Sequence, residues 1–108
     1  MAKLNPIEPD SKFSPVVAAF AKNKLVSAGF MMSSYGLKVN GKIFAMYGRD
    51  QFVVRLPKIR VDELVESGHG KRFDLGHGRL MKEWVIVLKN QKTWIAFAEE
   101  AYDFVKSI

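Results

Sequence analysis

The sequence predicts an α+β domain: a two-layer sandwich with one antiparallel sheet of about five strands and helices packed on it, in the order α-β-β-β-α-β-β-α. Three observations lead there. Residues 35–56, YGLKVNGKIFAMYGRDQFVVRL, read as short strands whose turns can be assigned from residue chemistry. Residues 84–89, WVIVLK, are the most β-prone run in the chain. From about residue 92 onward Trp94, Phe97, Ala98, Ala101, Val105 and Ile108 recur at helical spacing, the apolar stripe of an amphipathic helix.

Each element follows from local chemistry. Residues 1–12 contain Pro6 and Pro9 and show no periodicity, so they predict a flexible lead-in to a single domain spanning 13–108. Ser14 offers an N-cap and Pro15 the favoured first helical position, and Val16, Val17, Phe20 and Leu25 predict a helix to about Ala28, stopped at Gly29. From Phe30 the period changes to two. Asn40-Gly41 between apolar alternations predicts a type I′ hairpin, because that turn needs positive φ at both central residues. Strands near 31–39 and 42–48 follow. Gly48-Arg49-Asp50 marks a second tight turn before a strand over 51–56, closed by Pro57, which cannot donate to a ladder. Phe52, Val54 and Leu56 share one face of that strand, and Val53 and Arg55 the other. A short helix over 61–67, with Asp62 and Glu63 in its first turn, ends at Gly68. Phe73 and Leu75 predict a short strand, and 84–89 a central strand, since its apolar residues occupy both faces.

Composition bounds the function classes. A chain of 108 residues, 48% apolar and 26% charged, has apolar surface for one core. It has no cysteine, which excludes disulfides and thiol chemistry and fits a reducing compartment; with no apolar run able to serve as a signal or span near the start, cytoplasmic residence without a membrane partner is expected. Net charge is +6, and the predicted strand regions hold most of it: residues 38–60 carry six Lys/Arg against Asp50, and residues 71–92 carry six against Asp74 and Glu83. Arg49, Arg55, Lys58, Arg60, Lys71, Arg72, Arg79 and Lys82 are therefore the candidates for contacting phosphate, with Tyr47, Phe52 or Phe73 as stacking platforms. The competing reading is that these cations keep edge strands from pairing with other chains.

No catalytic constellation emerges. Ser33, Ser34 and Tyr35 lack a nucleophile elbow, and Glu99, Glu100 and Asp103 lie on the polar side of the last helix. His69 and His77 sit in twin Gly-His-Gly units with Asp74 between them, a weak metal-ligand candidate set better explained as turn residues. Gly70-Lys71-Arg72 lacks phosphate-loop spacing. No cofactor and no small-molecule ligand is expected. Trp84 and Trp94 are assigned to the core.

The segment YGLKVNGKIFAMY, the later LMKEWVIVL and the closing amphipathic stripe together resemble the TfoX N-terminal domain family, related in fold to YjbR-like and secretion-chaperone-like proteins. The similarity covers roughly residues 13–108 and is carried by Tyr35 and Gly36, by Gly41, Lys42, Phe44 and Ala45, and by Met81, Lys82, Trp84 and Val85. Where the family usually has a Met-Phe-Gly-Gly-like turn, this chain has Met31-Met32-Ser33-Ser34, and serines resist backbone conformations that glycines allow. The resemblance implies a two-layer sandwich and, in members with a second domain, regulation of natural competence. The expected function is a non-enzymatic interaction or regulatory module acting through a protein partner or a homodimer. The alternative is a basic nucleic-acid-binding domain in transcriptional or competence regulation.

Overall fold

The computed structural model describes residues 12–31, 34–48, 50–74 and 80–108. The expected lead-in over 1–11, the turn at Ser33, Arg49, and the segment holding Leu75, His77 and Arg79 lie outside the described residues. The elements are α1 (Ser14–Ala19), β1 (Val26–Met31), β2 (Ser34–Val39), β3 (Lys42–Gly48), β4 (Gln51–Arg55), α2 (Lys58–Glu66), β5 (Gly70–Asp74), β6 (Leu80–Val87), a 3-10 turn (Gln91–Thr93) and α3 (Trp94–Lys106). All six strands join one antiparallel sheet in the order β1-β2-β3-β4-β6-β5. This is the predicted α+β sandwich with one strand more than expected. No described helix is long and apolar enough to cross a membrane.

The extra strand corrects the first helix. Helix α1 stops at Ala19, nine residues before the expected Ala28. Asn23 explains the break: its side-chain oxygen accepts from the Leu25 amide at 2.9 Å and its carbonyl from the Val26 amide at 3.1 Å, a local turn that competes with helical bonds. Beyond it Val26 and Ala28 alternate with Ser27 and Gly29, and this period of two pairs with β2 as an edge strand. Ser14 is the first helical residue, with Phe13 at the N-cap position, while Pro15 does sit in the first turn.

The hairpin chemistry holds. Asn40 and Gly41 have φ of 55° and 77°, as a type I′ turn requires. Between Leu37↔Ala45 and Lys38↔Ile43 the register shifts by one, leaving Phe44 as a bulge residue. Phe44 and Ala45 are consecutive yet both fully buried, and the bulge is what permits it. Helix α2 starts at Lys58, directly after Pro57, so Asp62 and Glu63 fall in its second turn, not its first. It ends where expected: Gly68 has φ 83°, the Gly68 amide donates to Val65, and the His69 amide to Leu64, a Schellman stop.

The core lies between the sheet and the three helices. Phe13, Val16 and Phe20 come from α1 and its flanks, Val61 and Leu64 from α2, and Trp94, Phe97, Ala98, Ala101 and Val105 from α3; they meet Tyr35, Leu37, Val39, Phe52, Val54, Leu56, Val85 and Val87 from the sheet. Phe52 stacks on Trp94 with centroids 4.6 Å apart. Trp84, expected in the core, is not in this cluster; it is half-buried beside Phe73, 6.4 Å centroid to centroid. The reason is parity. Trp84 pairs with Arg55, so both point away from the helices.

Candidate functional site

That parity defines a second face on which no described helix lies. Following the register across the strands gives one continuous row, Gly29–Gly36–Met46–Val53–Ile86–Lys71. Its centre is apolar. Val53 and Ile86 are only 3% and 7% exposed although they stand outside the helix-covered core, while Met46, Phe73 and Trp84 keep part of their surface accessible. On β1 and β2 the same row has two adjacent glycines and no side chain. A Cβ built on Gly29 meets nothing within 4 Å. Arg55 borders the apolar centre, and its guanidinium donates to Glu83 Oε1 at 2.9 and 3.1 Å. Lys38 and Lys71 share the parity of this face, and neither they nor Lys82 make an ion pair with a described residue.

Of the eight cations singled out in the sequence, the six described are split between this face and the α2 side of the sheet. Lys58 donates to Asp62 Oδ2 at 2.9 Å and Arg72 to Asp62 Oδ1 at 2.7 Å, so one carboxylate ties α2 to β5. Arg60 grips Glu100 with two bonds, 2.8 Å from Nε and 3.3 Å from Nη2, contacts Glu63 at 3.4 Å and lies 5.8 Å over the Phe97 ring; it ties α2 to α3. Arg55, Lys58, Arg60 and Arg72 are thus neutralised by partners within the fold. Lys71 and Lys82 are exposed, and Arg49 and Arg79 lie outside the described residues. Of the proposed stacking platforms, Tyr47 and Phe52 are core residues at 6% and 1% exposure, which corrects that expectation; Phe73 is partly accessible.

The charge network sets a pH dependence. Hydrogen bonds from Lys58 and then Arg72 hold the Asp62 carboxyl below its ordinary value, while those that Arg60 donates to Glu100 raise the Arg60 guanidinium further. A carboxyl whose folded value is depressed stabilises the fold above its unfolded value, about 3.9, and loses that contribution as pH falls through the lower folded value. The urea midpoint of the native chain should therefore fall on acidification below about pH 4 more steeply than that of Asp62→Asn. Parallel acid limbs would show that Asp62 is not held in this way.

The first Gly-His-Gly unit has a structural account. Gly68 caps α2, the His69 carbonyl accepts from the Leu88 amide at 2.9 Å, and Gly70 packs beneath Leu64 and Val85. The His69 ring is exposed, with Nδ1 3.2 Å from the Ser67 hydroxyl. His77 lies outside the described residues, and among those described no group of three or more His, Cys, Asp or Glu is placed to hold a metal. Burial pushes the Tyr35 phenol above its ordinary value, in keeping with a core role.

Sequence reasoning did not single out Gly29 or Ile86 for this face, and it assigned Trp84 to the core. A signal was present in the alternation of Val53 and Arg55 against Phe52 and Val54, but using it required the strand register. No family model, no curated protein and no solved structure gives a significant match to this chain.

Proposed function

We propose that the protein is a non-enzymatic interaction module that pairs with a second copy of itself through the helix-free face of its sheet. One observation carries this reading: the row across that face has no side chain at Gly29 and Gly36 and is apolar over Met46, Val53 and Ile86, with the partly accessible Trp84 and Phe73 alongside. A two-fold axis parallel to the strands lays the β1–β2 half of one copy over the β6–β5 half of the other, so the apolar half of each, with Trp84 and Phe73, meets the glycine half of its partner. An isologous interface must be self-complementary in this sense.

The test uses the open space at Gly29, whose backbone is not in the left-handed region and whose missing Cβ would touch nothing. Gly29→Leu should leave the melting temperature of the single chain unchanged yet weaken association at least about tenfold, a change of about 1.4 kcal/mol. Unchanged association in this variant would overturn the proposed face. Salt supplies an independent check. Lys38 and Lys71 give the face a rim of like charge, so association should tighten as salt is raised. Phosphate binding has the opposite sign.

Kinship with the TfoX N-terminal type belongs to the same proposal. Its support is the residue pattern, with Gly41 and Lys42 opening β3, Phe44 and Ala45 at the bulge, and Trp84 and Val85 in β6. A regulatory role would then act through the state of pairing. Cytoplasmic residence is proposed with it, supported by a cysteine-free sequence.

A further inference from the structure

We propose that one end of the molecule, formed by the turn at 20–25, the β2–β3 hairpin and the last turn of α3, binds the phosphate backbone of a nucleic acid through Lys22, Lys24, Lys38, Lys42 and Lys106. None of the eight cations singled out in the sequence belongs to this set. The topology brings the five together. Val26, two residues after Lys24, pairs with Val39, which in turn pairs with Lys42. Lys38 pairs with Ile43 on the same hairpin. Lys42 Nζ donates to the Ile108 carbonyl at 3.3 Å, two residues beyond Lys106. Lys106 lies 5.6 Å over the Tyr102 ring, and that ring touches Phe20, where the turn holding Lys22 begins.

These lysines differ from the arginines on α2 and β5 in what surrounds them. None of the five makes an ion pair with a described residue. Asp103 is the acidic side chain in the last turn of α3, and it too makes no ion pair with a described residue. Lysines without exposed aromatics suit backbone phosphates and carry no base readout, so binding should be indifferent to sequence. An anionic bilayer is the less favoured partner. Leu25 and Ile108 are each 53% exposed, and two aliphatic side chains fall well short of the apolar face that seats a protein at a lipid surface.

The experiment is fluorescence anisotropy of a labelled mixed-sequence DNA duplex over a range of salt, with vesicles of phosphatidylserine and phosphatidylcholine as a second arm. The native chain should bind the duplex at low salt with a log–log salt slope no steeper than about −4.5, the limit set by five phosphate contacts. Lys22→Glu, Lys24→Glu and Lys42→Glu together should lower affinity at least about tenfold and flatten the slope, while Lys71→Glu, Lys82→Glu and Lys92→Glu together should change it less than about twofold. All six are exposed, and matching melting curves confirm the fold. Lys38 is left unaltered, so the helix-free face is untouched by the first set and the two proposals fail separately. The proposal is overturned if the native chain does not bind duplex at low salt, if both sets lose affinity equally, or if it binds vesicles more tightly than duplex.

Discussion

Phe13→Ala should lower the unfolding free energy by about 3–5 kcal/mol, the usual cost of emptying a buried phenylalanine site. Phe13 is wholly buried, and its ring meets three others: Tyr35 edge-on at 6.1 Å, Tyr47 stacked at 5.8 Å and Phe52 tilted at 6.0 Å. Each ring comes from a different strand, so Phe13 closes the core at the end of the sheet where α1 begins. Helix α1 has six residues, too few to be stable alone, and depends on such packing. Against a total stability of about 5–15 kcal/mol for a domain of this size, the variant should be marginal at room temperature. A urea titration reads this as a shifted midpoint with an unchanged slope. A loss below about 1 kcal/mol would mean that Phe13 does not close the core.

Gly70→Val is the second large effect, and it comes from crowding where the first came from a void. A Cβ at Gly70 would stand 2.6 Å from Val85 Cγ2, 3.0 Å from Leu64 Cβ and 3.5 Å from the Ile86 carbonyl oxygen. Neither close neighbour can yield easily: Val85 is β-branched and fully buried, and Leu64 is anchored on α2. At Gly70 helix α2 packs tightly on the sheet, just after the Schellman stop brings the chain back. Alanine there should cost about 1–3 kcal/mol and valine more, whereas Gly29→Ala in the same sheet should cost nothing measurable. Equal midpoints for the two alanine variants would contradict this account of the α2–β5 contact.

Local chemistry made much of the fold legible. Asn40-Gly41, Pro57, Gly68 and the stripe from Trp94 to Val105 each have a strong short-range preference that the structure honours. Reading failed where two local preferences competed. Val16 to Ala28 holds enough helix formers to suggest one long helix, but Asn23 can satisfy its neighbours' amides without helical bonds, and the edge of β2 offers Val26–Met31 a ladder. Tertiary pairing decided that segment, as it decided the start of β6. The candidate site was less legible because it depends on register. Trp84 and Phe97 look alike as sequence, yet pairing with Arg55 turns Trp84 away from the core. Charge misled for a related reason: Arg60 and Arg72 stand out in sequence, but carboxylates on other elements or a helical turn away take up their charge.

The most direct measurement of the central claim is the mass of the native chain in solution by sedimentation equilibrium across a wide concentration range at low and high salt. Pairing through the helix-free face predicts a mass rising from one chain toward two, at lower concentration when salt is high. A mass of one chain at every concentration and salt would contradict it.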